Sequence, residues 1–337
     1  MQYVRLGSSG LKVSRICLGC MSFGSGADWM LAEEPSFAII RKALELGINF
    51  FDTANVYSLG ESEQILGRAL ASLGVRRDEV VIATKLFHPM SAAPNDRGLS
   101  RKHVLQSIDA SLGRLGLDYV DLYQIHRFDP ETPIEETLEA LTDVIRAGKV
   151  RYIGASTMAA YQFARMIFTA DRLRLARFIS MQNNYSLLYR EEEREMIPLC
   201  REEAVGLIPY SPIGGGLLAG SRRSGTVRSH SPMARDRFRR PADEAVIDAV
   251  AALAKERGIR PAELAVAWLL GRPGVTAPIV GATKPQHLDD PVKAVGIALR
   301  EEEVARLERA YETQPPLPVY LRPPPPPEGP LARPRAS

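Results

Sequence analysis

The sequence is poor in several features that would point to specialised classes of protein. Its three cysteines, Cys17, Cys20 and Cys200, are too few for the disulfide framework of a secreted scaffold. No apolar run is long enough to cross a bilayer, and the opening residues, MQYVRLGSSGLKVS, contain no apolar leader. We therefore expect a cytoplasmic protein that does not associate with membranes.

The charge balance and the histidines exclude two further classes. The net charge of +3 is too small to indicate nucleic-acid binding. The histidines lack the spacing of metal ligands, so we expect no metal site. What remains is an ordinary globular composition, 45% hydrophobic and 25% charged, and a length that α/β barrels reach as one unit.

Short apolar runs alternate with helical patterns along the chain. Such runs are typical of parallel strands that are buried on both faces. The runs span residues 15–19, 48–52, 80–85, 120–126, 151–156, 179–182, 205–210 and 278–281. Between them, apolar residues recur at helical spacing, for example from Leu105 to Leu115 and from Leu138 to Ile145. A further helix is predicted over Glu191–Ala204.

Eight strand-helix units predict a (β/α)8 TIM barrel, with an open doubly wound sheet as the alternative. A β-hairpin around Gly7–Gly10 is predicted to cap the bottom of the barrel. The segment Ile213–Arg240 is predicted to be a long loop after the seventh strand. We assign residues 1–313 to the barrel and residues 314–337 to a proline-rich tail, extended or disordered, because a run of prolines forms neither helix nor strand.

Four polar residues stand at or just after the ends of successive predicted strands. Asp52 ends the second strand and is followed by Tyr57, Lys85 ends the third strand, and His126 ends the fourth. Barrel enzymes place their chemistry at this carboxyl end of the strands. A lysine or histidine next to a buried apolar run also needs a partner. We therefore predict that these four side chains act together.

The four residue types suit the reduction of a carbonyl group. The alkoxide that forms needs a proton, which the Tyr57 phenol can supply if a nearby ammonium lowers its pKa from about 10. Lys85 can provide that charge, Asp52 can hold Lys85 in place, and His126 can hydrogen-bond the carbonyl oxygen. The same residues are compatible with a Schiff base on Lys85. Both mechanisms stay open at this point.

Longer stretches of the sequence resemble the aldo-keto reductases, especially the long bacterial and fungal branch that includes the potassium-channel β subunits. The stretches extend to about Tyr311 and include INFFDTANVYSLGESEQILGRAL, VVIATK, DLYQIHRFD, GKVRYIGAS, LIPYSPIGGGLLAG and PIVGATKPQHLDD. The resemblance implies a (β/α)8 barrel that uses NADPH to reduce a small-molecule carbonyl. It also implies that Tyr57 is the proton donor, Asp52 and Lys85 its activating pair, and His126 the residue that orients the substrate.

The resemblance further implies a set of cofactor contacts. Ser156 and Gln182 would hold the nicotinamide carboxamide, and Tyr210 would stack on the nicotinamide ring. Lys284 would bind the 2′-phosphate, which favours NADPH over NADH. The other implied contacts are Gly19, Met21, Asp52, Ser211, Pro212, Ile213, Gly216, Gly281, Thr283 and His287. Relatives often have Asn, Gln and Asn where this chain has Thr157, His287 and Pro291. The contacts with the cofactor are therefore predicted to differ at these positions.

Three further features have a functional and a plain interpretation. The arginine-rich loop 221–240 is either a solvated segment or a basic lid over phosphates. Gly214–Ala219 fits a G-x-G-x-x-A pattern, but a pyrophosphate loop is favoured because the preceding strand is the seventh. The Cys17–Cys20 pair is interpreted as two small strand residues. Candidate residues for the substrate pocket are Phe23, Trp29, Phe87, His88 and Phe128.

Two functions compete with the reductase hypothesis. One is a cofactor-sensing binding subunit with little turnover, similar to the channel β subunits. The other is a lyase or isomerase that uses Lys85 covalently. The sequence indicates neither the particular aldehyde or ketone nor the oligomeric state.

Overall fold

A computed structural model of the chain describes residues 1–25, 27–220 and 240–316. A two-stranded antiparallel hairpin precedes an eight-stranded parallel sheet. The hairpin consists of β1 (Tyr3–Arg5) and β2 (Lys12–Ser14). The sheet consists of β3 (Cys17–Gly19), β4 (Phe50–Asp52), β5 (Val81–Leu86), β6 (Val120–Ile125), β7 (Val150–Ser156), β8 (Phe178–Gln182), β9 (Gly206–Leu207) and β10 (Ile279–Gly281).

The strands of the sheet lie in sequence order, and its two ends meet. Neighbours run β10-β3-β4-β5-β6-β7-β8-β9, without the reversal that an open doubly wound sheet requires. Parallel bridges join Leu207 to Val275 and Tyr210 to Ile279. The amide of Ile279 donates to the carbonyl of Pro209 at 2.8 Å. The predicted (β/α)8 barrel is therefore confirmed.

Helices follow the strands and cover the outside of the sheet. Their bounds are α1 (Glu33–Glu45), α2 (Glu61–Ser72), α3 (Arg101–Leu115), α4 (Ile134–Arg146), α5 (Ala160–Leu173), α6 (Met196–Glu202), α7 (Pro241–Arg257), α8 (Pro261–Leu270), α9 (Asp289–Ala294) and α10 (Glu301–Glu308). Local sequence fixes the ends of α3, where the Ser100 hydroxyl accepts from the His103 amide and Gly116 adopts a φ of 65°.

The helix predicted over Glu191–Ala204 is wrong in its first half. Only a 3₁₀ turn forms at Glu191–Glu193, and α6 begins at Met196. Glu191 is buried. Its carboxylate accepts from the Tyr311 hydroxyl at 2.7 Å and from the Gln314 amide at 2.8 Å. These long-range partners hold the segment in a turn, and local periodicity does not reveal them.

The hairpin caps the amino-terminal end of the barrel, as predicted. The Ser8 amide donates to the Ala204 carbonyl at 2.8 Å, just before β9. Gly7 has a φ of +59°, and a Cβ there would lie 2.5 Å from the carbonyl oxygen of Ile179. Only glycine allows the turn to approach the strands so closely.

Alternation along the strands creates the interior of the barrel. A small apolar cluster includes Phe50, Ala83 and Leu122, whereas Phe51 and Tyr123 pack in the larger core with the helices. Because side chains alternate with a period of two, the next positions on the inner face are Asp52, Lys85 and Gln124. The apolar interior thus ends in a polar layer at the carboxyl end of the strands.

Two regions of the sequence predictions fall partly outside the described residues. Residues 221–239 of the predicted basic loop 221–240 and residues 317–337 of the proline-rich tail lie outside them. Gln314 was assigned to the tail, yet it is hydrogen-bonded to the barrel through the Leu188 carbonyl at 3.0 Å and through Glu191. No helix in residues 1–25, 27–220 and 240–316 is both long and apolar enough to span a membrane.

Candidate active site

Asp52, Tyr57 and Lys85 form one hydrogen-bonded group at the carboxyl end of the barrel. The Lys85 ammonium is fully buried and donates to Asp52 Oδ2 at 2.5 Å. It also donates to the Thr53 carbonyl at 2.9 Å and to the Tyr57 hydroxyl at 3.1 Å. All three donors of the ammonium are therefore used. The structure brings together the three residues that the sequence places on two strands and a loop.

The second carboxylate oxygen of Asp52 is held by two amides. Gln124 Nε2 and Gln182 Nε2 donate to Oδ1 at 2.9 and 3.0 Å, and Gln182 Nε2 also lies 3.1 Å from Gln124 Oε1. Sequence reasoning missed Gln124. Its signal is a polar residue inside the apolar run VDLYQI, on the same strand face as Leu122. A Cβ on Gly154 would lie 3.0 Å from the Gln124 side chain, so this glycine leaves space for the amide.

A strained turn after β4 positions Tyr57. Ser58 and Leu59 have φ values of 48° and 50°, in the left-handed region that residues other than glycine rarely adopt. The Ser58 hydroxyl donates to the carbonyl of Phe23 at 3.2 Å, which ties the turn to the loop after β3. Such strain persists where surrounding contacts enforce it, commonly at functional sites.

Burial and charge act on Tyr57 and Lys85 in opposite senses. Burial raises the pKa of the Tyr57 phenol above its ordinary value, although the Lys85 ammonium opposes this. For Lys85, burial disfavours the charged form, but the charges of Asp52 and Tyr57 and the hydrogen bonds to both together outweigh it and raise the pKa. Lys85 is therefore an ammonium. The sequence-based expectation that Lys85 favours the phenolate has the right direction, but burial has the larger effect on the Tyr57 pKa.

His126 lies beside this group as a neutral imidazole. Its ring centroid is 5.7 Å from that of Tyr57, at an interplanar angle of 81°. Burial lowers the pKa of His126 well below its ordinary value, and the charges of Lys85 and Arg127 lower it further. Nδ1 is buried and has no hydrogen-bond partner among the described residues. A neutral imidazole next to the tyrosine can donate one hydrogen bond to a carbonyl oxygen.

The five candidates for the substrate pocket differ in accessibility. His88 packs edge to face on His126 with 4.8 Å between the ring centroids, and it is partly exposed. Trp29 and Phe128 are also partly exposed. Phe87 is nearly buried, and Phe23 is fully buried in the core, so the ring of Phe23 offers no surface to a substrate in this conformation.

Of the two residues expected to hold the nicotinamide carboxamide, Ser156 contacts the backbone of Gln182, whereas the Gln182 side chain is bound to Asp52 and Gln124. The Ser156 hydroxyl donates to the Gln182 carbonyl at 2.8 Å and lies 3.0 Å from Thr157 Oγ1. Thr157 has a φ of 48°, and its amide donates to Asn183 Oδ1 at 2.8 Å. Ser156 and Gln182 are both almost completely buried.

The loop after β9 presents backbone instead of bulky side chains. Gly214, Gly215 and Gly216 have φ values of 57°, 69° and 100°, a sequence of turns that requires glycine. The preceding Tyr210 is partly exposed and bridges to Ile279, so this loop and the end of β10 lie side by side. Pro212 is buried, whereas Ser211 and Ile213 are partly exposed.

A polar group follows β10. The Thr283 amide and hydroxyl each lie 3.4 Å from His287 Nδ1. Lys284 is exposed and has no ion-pair partner among the described residues. Burial and then the charge of Lys284 lower the pKa of His287. Pro291 is buried in α9.

The residues at the ends of β9 and β10 could hold a dinucleotide cofactor. A partly exposed aromatic ring, a glycine turn with open backbone and an exposed lysine follow one another along the ends of β9 and β10. Gly281 is exposed beside them. At β3, Met21 is partly exposed, while a Cβ on the buried Gly19 would lie 2.8 Å from the Ile279 side chain. The described residues contain no group of His, Cys, Asp and Glu arranged to hold a metal ion.

Comparisons with known proteins agree with this geometry. The model of the aldo/keto reductase family matches residues 15–312. The chain is similar to versiconal hemiacetal acetate reductase from Aspergillus parasiticus, with 44% identity over 92% of this chain and 97% of the relative. It is also similar to the aldo-keto reductase AMT2 from Alternaria alternata, with 41% identity over 93% and 92%. The putative aryl-alcohol dehydrogenase AAD16 from Saccharomyces cerevisiae is 40% identical over 93% and 98%.

The relation to potassium-channel β subunits stays a prediction. The wider resemblance is confirmed, because the match covers nearly all of the barrel. Family membership supports an oxidoreductase that reduces carbonyl compounds with a nicotinamide cofactor. The chain belongs to the aldo/keto reductase family.

Proposed function

We propose that the chain reduces an aldehyde or ketone to an alcohol with NADPH, and that Tyr57 is the proton donor. The observation that carries the proposal is the contact between the buried Lys85 ammonium and the Tyr57 hydroxyl, with Asp52 behind the ammonium. The nicotinamide, when bound, supplies a hydride to the carbonyl carbon. The residues of the chain then have to deliver one proton to the carbonyl oxygen.

The hydrogen bonds leave the Tyr57 proton free for that purpose. Lys85 donates to the phenol oxygen, so the phenol hydrogen can point toward a substrate. Burial keeps the phenol protonated until negative charge develops on the substrate oxygen. The fixed ammonium then stabilises the phenolate that remains. His126 donates to the same substrate oxygen and holds it near Tyr57.

Residues at the ends of β9 and β10 would hold the cofactor. Tyr210 would stack on the nicotinamide ring, and Ser211, Ile213 and Gly216 would follow the pyrophosphate. The exposed Lys284 would pair with a 2′-phosphate, since a charged hydrogen bond to phosphate is among the strongest available to a protein. The proposal includes a cytoplasmic setting, which the free and buried cysteines support.

The alternative chemistry through Lys85 is disfavoured. A Schiff base needs the neutral amine with a free lone pair. Here the ammonium makes three hydrogen bonds, and the charge of Asp52 helps to raise its pKa. Lys85 is therefore suited to holding charge beside Tyr57.

Turnover with carbonyl compounds tests the proposal directly. NADPH oxidation would be followed at its absorbance band with a panel of aryl and alkyl aldehydes, because relatives carry the names of an aryl-alcohol dehydrogenase and a hemiacetal acetate reductase. We expect oxidation that depends on both the aldehyde and the cofactor. Tight NADPH binding without turnover of any carbonyl would favour the cofactor-sensing subunit. Borohydride trapping of a substrate on Lys85 would favour the lyase or isomerase.

A further inference from the structure

The orientation of His126 is fixed by ring contacts. A functional histidine is commonly oriented by a hydrogen bond to its second ring nitrogen. In the described residues Nδ1 of His126 has no such partner, although it is buried. Two aromatic edges contact the ring instead, Tyr57 at 81° and His88 at 79°. The nearer of the two is His88, with 4.8 Å between centroids.

The backbone after β5 places His88 there. Phe87 has a φ of 143°, in the region that side-chain-bearing residues rarely adopt. Two backbone hydrogen bonds hold this conformation. The Gly98 amide donates to the Phe87 carbonyl at 2.8 Å, and the His126 backbone amide donates to the Leu86 carbonyl at 2.9 Å. The Phe87 ring packs edge to face on His88 at 5.3 Å. Backbone strain maintained by such contacts is typical of functional positions.

Tyr57, His126, His88 and Phe87 thus form a continuous row of edge-to-face rings. The charged groups outside this row that act on its two histidines are cationic, Lys85 and Arg127. In cationic surroundings a bare Nδ1 lone pair costs less than a buried N–H without an acceptor. The proton of His126 is therefore expected on Nε2.

We propose that His88 is a positioning residue, whose ring packs against His126 and holds the imidazole so that Nε2–H meets the carbonyl oxygen of the substrate. The inference rests on the proposed reductase function for its kinetic consequence. Its structural part, one fixed ring orientation and one tautomer of His126, does not depend on turnover.

A pair of substitutions separates ring packing from other roles. His88→Phe keeps an aromatic ring, whereas His88→Ala removes it. We expect His88→Ala to lower kcat/KM for the aldehyde about tenfold, because a ring contact is lost and the hydrogen-bond donor is misplaced. We expect His88→Phe to stay within about threefold of the parent, and the Kd for NADPH to be unchanged in both variants.

Nitrogen NMR of His126 gives the readout that a merely structural role would not move. The parent and His88→Phe should show a single Nε2–H tautomer, and His88→Ala a mixture. His103→Ala is the matched control, since it removes a buried histidine of α3. In a His126→Ala background, His88→Ala should have no further effect on kcat/KM, as expected for a residue that acts through another.

Several results would overturn the inference. One is a His88→Ala variant with unchanged kcat/KM and unchanged His126 resonances. Another is a His88→Phe variant as impaired as His88→Ala, since packing would then not be the cause. If His88→Ala does not fold, His88→Leu fills the volume without an aromatic edge and carries the same expectation. Absence of turnover in the parent protein would count against the proposed function, while the NMR comparison would still test the positioning of His126.

Discussion

The ends of β4 to β6 and the ends of β9 to β10 are built differently. At the first, Asp52 and Lys85 are buried and every donor of the ammonium is used. At the second, Lys284 is exposed and has no ion-pair partner among the described residues. A glycine turn with positive φ follows β9. Asp52 and Lys85, which are proposed to act in proton transfer, are thus held by other groups of the protein. The residues proposed to bind the cofactor are accessible.

This difference separates two physical tasks. Groups that stabilise charge in a transition state act best when they are fixed in advance in a site that excludes water. Groups that capture a ligand need accessible donors, which gain partners only on binding. A substitution at the first region should therefore change the rate of chemistry, and one at the second should change affinity.

The largest effect is expected from Tyr57→Phe. Removing the hydroxyl removes the proposed acid but keeps the ring, so kcat should fall by about 10²- to 10⁴-fold. The Kd for NADPH, measured by fluorescence, should stay nearly unchanged because the phenol is not among the proposed cofactor contacts. Single-turnover measurements would show whether the chemical step is the one affected. Retained turnover would remove Tyr57 from the role of proton donor.

A buried ion pair also supports the ends of β4 to β6. Glu63 of α2 is fully buried and accepts from Arg114 Nε at 2.6 Å and from the Thr84 hydroxyl at 2.5 Å, next to Lys85. Arg114→Met should lower the free energy of unfolding by about 3–5 kcal/mol, because it leaves the carboxylate buried without its cation. Urea denaturation measures the change.

A surface ion pair of similar length provides the control for that experiment. Arg76 and Asp78 are 2.5 Å apart, but both side chains are about two-thirds exposed. Arg76→Met should leave the free energy of unfolding close to that of the parent, because solvent screens an exposed ion pair. Equal losses for Arg114→Met and Arg76→Met would contradict the claim that burial sets the value of the pair.

The sequence alone predicted the barrel strands, and the residues at the ends of β4 and β5, better than the rest of the fold. All eight strands of the barrel were placed within a few residues, because runs buried on both faces are short and apolar. The closeness of Asp52 and Lys85 followed from strand ends that share one edge of the barrel. Gln124 was missed, since an amide inside an apolar strand has no distinct periodicity.

Long-range contacts explain the remaining differences. The first half of the helix predicted over Glu191–Ala204 gives way to a turn because Glu191 finds partners at Tyr311 and Gln314, far along the chain. The net effect on the Tyr57 pKa depends on burial, which a list of neighbouring charges does not contain. The contact between His88 and His126 depends on the φ of Phe87, for which the sequence has no signal.

Lys284→Met tests the proposed cofactor contact at the end of β10. Loss of a charged hydrogen bond at an exposed position should weaken NADPH binding by about tenfold to a hundredfold. The affinity for NADH, which lacks the 2′-phosphate, should change much less, and kcat at saturating NADPH should stay close to that of the parent. Fluorescence titration with both cofactors gives the comparison. Equal losses for NADPH and NADH would contradict the assignment of Lys284.

A further expected effect concerns acid stability. Burial and then the charge of Arg127 lower the pKa of His88 from 6.5 to about 4, so the unfolded chain binds a proton at a higher pH than the folded one. This contribution to stability is complete above about pH 6.5 and is lost as the pH falls toward 4. The pKa values of His103, His126 and His287 are also lowered, so these residues also reduce the stability of the protein as the pH falls.

His88→Phe isolates the contribution of His88, because the other histidines remain. The free energy of unfolding of this variant should fall less steeply than that of the parent between pH 6.5 and pH 4, and the two slopes should agree above pH 7. Urea denaturation across this range measures both slopes. Parallel curves throughout would mean that His88 titrates normally in the folded protein. The row of rings would then lie in water, and the first region would be less completely enclosed than its hydrogen bonds indicate.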